Sequence, residues 1–216
     1  MADLEDYSGK LRPDFKLTDL SKEALARQVV EMGKFYLLIA GQWYNLCRDK
    51  LGQEMADELH FQFWEELGEK WECYEPRYAV QIWSRDVAAV LKQLQCDGGL
   101  LVGEMKCELV NNDPNHGILT MVRCLALEYF ERHADVKLLE STCAIDCFSI
   151  PRYVKRFHPD LTARCLKIPP RKSKDEIACQ WEIFMDPTHS SCVVEGLPEW
   201  VIDCTDNLSS PINLAR

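Results

Sequence analysis

Four cysteines in the second half of the chain are the residues whose types and spacing point to chemistry. They are Cys124, Cys143, Cys165 and Cys179, and Asp146 follows Cys143 at a spacing of three. A thiolate is both a nucleophile and a metal ligand, and a carboxylate can pass protons to a leaving group. We therefore predict one interior pocket where thiols from separate elements meet beside a carboxylate.

Cys143 and Asp146 lie in a segment without a clear hydrophobic period. If this segment were helical, the two side chains would share one face. An ionised carboxylate raises the pKa of a neighbouring thiol, so Asp146 is better suited to proton transfer or substrate anchoring than to stabilising a thiolate. We predict Cys143 as the nucleophile. Cys124 and Cys179 complete the pocket, supply the nucleophile instead, or have a purely structural role.

Three further residues are predicted to bind the substrate. Trp181 lies on the same apolar strand face as Cys179. Arg164 is a cation adjacent in sequence to Cys165, although strand alternation turns it to the opposite face from that cysteine. Trp43 belongs to a group of tryptophans in the helical half that either line an apolar pocket or, more commonly, form core.

Metal binding is the alternative use of these thiols. Cys124, Cys143, Cys165 and Cys179 could hold zinc or an iron–sulfur cluster. The region contains no CxxC pair, whereas structural zinc sites draw their ligands in close pairs. We predict no cofactor and keep zinc or an iron–sulfur cluster as the minority alternative.

The first half of the chain is predicted to be three antiparallel helices. A long helix begins at Ser21 and ends near Gly52, and two more cover residues 55–71 and 82–94. An apolar stripe at steps of three and four predicts the buried face of the long helix: Leu25, Val29, Met32, Tyr36, Ile39, Trp43 and Cys47.

The second half changes to a strand period. Residues 177–185 alternate most clearly, with Cys179 and Trp181 on the apolar face. The fold class is therefore α+β, with N-terminal antiparallel helices packed on a C-terminal antiparallel β-sheet. Further strands are predicted at residues 105–110, 118–124 and 161–168, and a short helix at residues 125–133.

A chain of 216 residues is most simply one domain. Residues 1–18 are polar and aperiodic and are predicted to be a flexible arm. Residues 19–216 form a single α+β domain, with a helical half at 19–96 and a sheet-containing half at 97–205.

Composition restricts the partners. The net charge of −10 argues against nucleic acid, and the one basic cluster, residues 171–174, indicates a solvated loop after two prolines. The longest apolar runs are too short to span a membrane. Eleven cysteines without a signal peptide indicate reduced thiols in the cytoplasm. We expect a small-molecule substrate and leave a homo-oligomer open.

The order of these residues resembles the L-2-amino-thiazoline-4-carboxylic acid hydrolase-like family and its uncharacterised relatives. The resemblance covers most of residues 19–185. It rests on three groups of residues: 19–25 through Trp43; Val122-Arg-Cys124, Phe130-Glu-Arg132 and Cys143-Ala-Ile-Asp146; and His158-Pro-Asp160, Arg164-Cys165, Pro169-Pro170 and Cys179-Gln-Trp-Glu182.

This resemblance implies an enzyme that opens a cyclic amidine, a thiazoline whose ring is attacked at carbon to release a ureido product. Cys124, Cys143, Asp146 and Cys179 match recurrent positions of the family. Some relatives carry a further cysteine where this chain has Ile168, which weakens a four-thiol metal site. A lyase or cyclase in a biosynthetic pathway and a non-catalytic ligand- or metal-binding module are the alternatives.

Overall fold

A computed structural model describes residues 4–67 and 75–186 of the chain. Trp71 of the predicted second helix and the sheet half beyond residue 186 lie outside these residues. The helices are α1 (Lys22–Leu51), α2 (Gln53–Leu67), α3 (Glu75–Ala79), α4 (Val87–Gln95), α5 (Leu125–His133) and α6 (Val136–Lys155). The strands are β1 (Glu104–Leu109), β2 (His116–Arg123), β3 (Leu161–Lys167) and β4 (Cys179–Met185).

The ends of α1 follow from local chemistry. The Ser21 hydroxyl accepts a hydrogen bond from the Ala24 backbone N–H at 3.1 Å, which satisfies one of the free donors of the first turn. Gly52 ends the helix at φ 89°, a conformation that favours glycine. The prediction of a helix from Ser21 to near Gly52 is confirmed.

The predicted buried face of α1 is largely wrong. Val29, Met32, Ile39 and Trp43 keep between 47% and 55% of their surface exposed. The buried residues are instead mostly small, and an added Cβ at Gly33 would lie 1.9 Å from the Gly98 carbonyl oxygen. Close backbone approach therefore selects the small-residue face of α1, not the most apolar one. That face carries Ala24, Gly33, Ala40, Tyr44 and Cys47.

A four-stranded sheet in the order β1-β2-β4-β3 forms the second layer, and every pair of neighbours is antiparallel. Together with the N-terminal helices it confirms the α+β class. Leu119 of β2 and Cys165 of β3 both pair with Trp181 of β4. Because paired residues point to the same side of a sheet, these side chains share a face with Cys179, two residues away from Trp181.

Two hydrophobic clusters make the core. The first lies between the sheet, α4 and α6, and includes Val90, Phe157 and Trp181. The second joins α1, α2, α5 and the start of α6. Cys179 packs against both clusters, so the end of β4 lies where they meet.

The described part of the predicted N-terminal arm folds back on the start of α1. Leu4 forms an isolated bridge with Leu20, and the Leu4 backbone N–H donates to the Asp19 carbonyl at 2.8 Å. The rings of Tyr7 and Phe15 stack with centroids 4.7 Å apart.

Candidate functional site

A cavity of about 270 Å³ opens where the two hydrophobic clusters meet. It is bounded by α1, α2, residues 97–103, β2, α5, α6 and β4. All four residues predicted to be catalytic line it: Cys124, Cys143, Asp146 and Cys179. Trp181, predicted to bind the substrate, lines it as well. We call Cys124, Cys143 and Cys179 the cavity thiols.

Helix α6 positions Cys143 and Asp146. Asp135 caps this helix by accepting a hydrogen bond from the Leu138 backbone N–H at 3.1 Å. The segment that shows no period in the sequence is therefore helical, and Cys143 and Asp146 lie on the same face. Thr142, Ser149, Ile150 and Tyr153 continue the cavity-facing side of α6.

Cys124 has a different environment, because it is the N-cap residue of α5. Burial raises the pKa of the Cys124 thiol, and the charge of Asp146 adds to this effect. The backbone N–H groups of Leu127 and Ala126 act in the opposite direction and lower the pKa. The sulfur makes no standard capping hydrogen bond, so these donors act as nearby dipoles.

Cys143 and Cys179 lack that compensation by a helix N-terminus. Burial raises the pKa of each thiol well above its ordinary value, and the Asp146 carboxylate raises it further. Trp181 donates a hydrogen bond to Cys179 that opposes the shift without reversing it. Both thiols are therefore held in the protonated form at neutral pH.

The cavity thiols interact with one another through space. The field of Cys124 raises the pKa of both Cys143 and Cys179, and Cys165 contributes to both shifts. Cys165 itself is buried in the first hydrophobic cluster and does not line the cavity. The predicted convergence of thiols from separate elements beside Asp146 is thus present in the structure.

Arg171 is a nearby cation that the sequence did not single out. Its side chain is only 5% exposed, and its guanidinium bonds both carboxylate oxygens of Glu131, at 2.7 and 2.9 Å. The hydrogen bonds to Glu131 raise the pKa of Arg171 most, and Cys124 makes a smaller contribution in the same direction, so the two groups lie within electrostatic range. The prediction of a wholly solvated loop at residues 171–174 is therefore wrong for Arg171. Its position after paired prolines gives no signal of burial.

Two residues predicted to bind the substrate lie away from the cavity. Arg164 forms an ion pair with Glu182, and its guanidinium lies 5.4 Å from the centre of the Phe184 ring. Strand alternation explains this, because Arg164 points to the opposite face from Cys165. Trp43 is 49% exposed on α1, since its neighbour Tyr44 occupies the buried side. Neither side chain lines the cavity.

Further residues line the cavity, among them Tyr36, predicted only on the buried face of α1, and Trp64, one of the tryptophans predicted either to line an apolar pocket or to form core. Tyr36 of α1 and Trp64 of α2 meet edge to face, with ring centroids 5.7 Å apart. Arg152 and Arg156 line the cavity from the last turns of α6. A helical period through residues 142, 146, 149 and 153 could have found the α6 face, but no local pattern places Tyr36 and Trp64 together with these residues.

The described residues contain neither a cluster of metal ligands nor a membrane-spanning helix. Within residues 4–67 and 75–186, no group of three or more His, Cys, Asp or Glu side chains is arranged to hold a metal ion. Cys124, Cys143, Cys165 and Cys179, the ligands of the alternative metal site, are among these residues. Among the same residues, no helix has the length and apolar character needed to cross a membrane.

Comparison with known proteins gave no match to a protein family, a curated protein or a solved structure.

Proposed function

We propose that this protein is a cysteine-dependent enzyme acting on a small electrophilic substrate, and that it hydrolyses a C–S or C–N bond of a cyclic amidine. One observation carries the proposal: three thiols from three separate parts of the fold and one carboxylate line the same cavity. The cyclic amidine comes from the resemblance to the thiazoline hydrolase-like family.

Cys124 is the best nucleophile among the cavity thiols. The backbone N–H groups at the N-terminus of α5 oppose the rise in its pKa that burial and Asp146 cause, and its charge interacts with that of Arg171. Cys143 is within a helix, and its pKa is raised well above the ordinary value. We therefore move the nucleophilic role from Cys143 to Cys124. Cys143 and Cys179 serve as neutral thiols in the cavity wall.

Asp146 serves as the proton carrier in this mechanism. It accepts the Cys124 proton as the sulfur adds to the amidine carbon, and it gives the proton to the ring sulfur as the ring C–S bond breaks. Water then attacks the carbon bound to Cys124. The C–S bond to Cys124 breaks, a ureido product leaves, and the thiol is restored. The net reaction consumes one water and needs no oxidant or metal.

The first test uses a 2-amino-thiazoline carboxylate as probe substrate and measures the thiol released by ring opening. Cys124→Ala is expected to reduce turnover at least about a hundredfold, because it removes the attacking atom. Cys96→Ala is the matched control, since Cys96 is exposed and outside the cavity. Cys143→Ala and Cys179→Ala are expected to retain measurable turnover.

Two outcomes would contradict these assignments. Full activity of Cys124→Ala with loss in Cys143→Ala would return the nucleophile to Cys143. No turnover by the wild type, combined with no preferential alkylation of any cavity thiol, would reject the enzyme. A non-catalytic binding module is then the better candidate, and the largely apolar cavity wall is the observation that favours it.

A further inference from the structure

We infer that the substrate of this site carries an apolar body, an aromatic ring or alkyl chain, on the ring or nitrogen atoms next to its electrophilic carbon. This inference rests on the proposed function, because it describes the substrate of the same cavity. It departs from a small, fully polar substrate, which residue types alone would favour.

The cavity wall is the first argument. Apolar side chains from nearly every surrounding element form the wall. Trp181 and Leu119, which are paired on adjacent strands, line the cavity from the sheet. A wall of this kind gains affinity from each apolar group it removes from water, about fourfold per methylene. The apolar lining residues include Leu37, Leu94, Leu100, Val102, Met121, Leu127, Phe130, Ile145, Phe148, Ile150 and Ile168.

The polar lining groups are the second argument, because the protein itself engages several of them. The Asp97 carboxylate accepts hydrogen bonds from the Gly99 and Leu100 backbone N–H groups at 2.7 and 3.2 Å. The Arg152 guanidinium lies 3.7 Å from the centre of the Phe148 ring. These groups stabilise the wall, so they do not make the cavity a polar site.

One polar group of the cavity wall, on α6 beside the reacting groups, is available to a substrate. The Thr142 hydroxyl oxygen is buried and has no hydrogen-bond partner among the described residues, and Thr142 precedes Cys143. Asp146 is one helical turn further along. A substrate nitrogen or oxygen near the reactive carbon fits this end of the cavity, and the rest of the molecule must contact apolar surface.

The test compares two chloroacetamides that differ only in their body, N-benzyl and N-(2-hydroxyethyl). Second-order rates of alkylation at Cys124 are measured by peptide mass spectrometry and divided by each reagent's rate with glutathione. The corrected rate is expected to be at least about tenfold higher for the benzyl reagent. Cys96, which is exposed, is the internal control, and its corrected alkylation rate is expected to be the same for the two reagents.

Two neighbouring residues provide a matched pair of variants. Val102 lines the cavity, whereas Leu101 is 36% exposed and does not. Val102→Gln is expected to reduce the benzyl preference several-fold, because it places an amide in the apolar wall. Leu101→Gln is expected to leave the preference unchanged.

The outcomes separate this inference from the proposed function. Equal corrected rates at Cys124 for the two reagents would overturn the apolar substrate class and leave the nucleophile intact. If Cys124 reacts with neither reagent, the nucleophile assignment fails. Calorimetry with unreactive N-benzylacetamide and N-(2-hydroxyethyl)acetamide then decides the ligand class independently. Tighter binding of the benzyl compound supports the inference, and equal or weaker binding overturns it.

Discussion

Single residues set the reactivity of this site through burial and one negative charge. Asp146 raises the pKa of all three cavity thiols, and burial acts in the same direction on each. Only Cys124 has backbone N–H dipoles of a helix N-terminus to oppose them. The helix terminus therefore distinguishes three thiols that are chemically identical in the sequence.

Asp146→Asn is expected to separate thiol acidity from turnover. Removing the carboxylate charge lowers the pKa of Cys143 and Cys179, so their alkylation curves shift to lower pH and their rates at pH 8 rise several-fold. Turnover is expected to fall about 10²-fold or more, because the proton carrier is lost. Peptide mass spectrometry over a pH series measures the first effect. Glu140→Gln on the same helix is the control, and unshifted alkylation curves would contradict the argument.

Arg171→Gln is expected to weaken both the fold and the acidity of Cys124. Glu131 loses a bidentate ion pair. The free energy of unfolding falls by about 1–3 kcal/mol, after allowance for the partial exposure of Glu131. The pKa of Cys124 rises, so its alkylation at pH 8 slows. Urea unfolding and labelling rates measure the two effects. Lys172→Gln, at the exposed neighbouring position, should change neither, and an unchanged Cys124 rate in Arg171→Gln would remove the arginine from the mechanism.

At the scale of elements, close approach of backbones determines how α1 packs. Gly33 lies against Gly98 in the segment between α4 and β1, and this contact leaves no room for a Cβ. The same packing brings Tyr36, one turn later, onto the cavity. The position of an aromatic cavity residue thus depends on a glycine contact that the apolar stripe of α1 does not predict.

Two glycines of α1 give a matched test. Gly33→Ala is expected to destabilise the fold by about 2 kcal/mol or more, because the added methyl meets the Gly98 carbonyl oxygen at 1.9 Å. Gly41→Ala is expected to stabilise it by about 0.5–1 kcal/mol, since nothing lies within 4 Å and alanine favours helix. Urea denaturation gives both values. Equal effects of the two substitutions would contradict the close approach.

At the scale of the whole molecule, a buried histidine of α2 packs against Tyr44 of α1, a member of the second hydrophobic cluster. His60 is 6% exposed, and its Nε2 accepts a hydrogen bond from the Trp64 indole N–H at 2.7 Å. Burial lowers the pKa of His60 to about 4. Protonating this ring would break the bond to Trp64 and leave a buried charge, so the folded state keeps His60 neutral.

Acid is therefore expected to destabilise the protein through His60. In the unfolded state His60 binds a proton with its ordinary pKa near 6.5. The contribution of neutral, buried His60 to the free energy of unfolding is therefore complete above that pH and is lost as the pH falls towards about 4. The loss is on the order of 3 kcal/mol. Free energies of unfolding at pH 7 and pH 4.5 measure it. His60→Gln should lose less stability than the wild type over this interval, and parallel losses would contradict the assignment.

Local patterns predicted much of this molecule. Ser21 and Gly52 set the ends of α1, and strand alternation placed Cys179 and Trp181 on one face and Arg164 on the other. Such predictions succeed because capping, glycine conformation and a period of two depend on neighbouring residues only. Residue types and spacing also predict one group made of Cys124, Cys143, Asp146 and Cys179, and all four line the cavity.

The amino-acid sequence by itself determined most of the elements, although not α6, together with the α+β class and the residue types of the proposed site. Tertiary structure alone decided which face of α1 is buried, that Arg171 lies near Cys124, and that Tyr36 and Trp64 complete the cavity. The physical reason is the separation along the chain over which each effect acts. A helix cap is fixed within a few residues, whereas burial, electric fields and cavity shape depend on atoms that the fold brings together from distant parts of the chain.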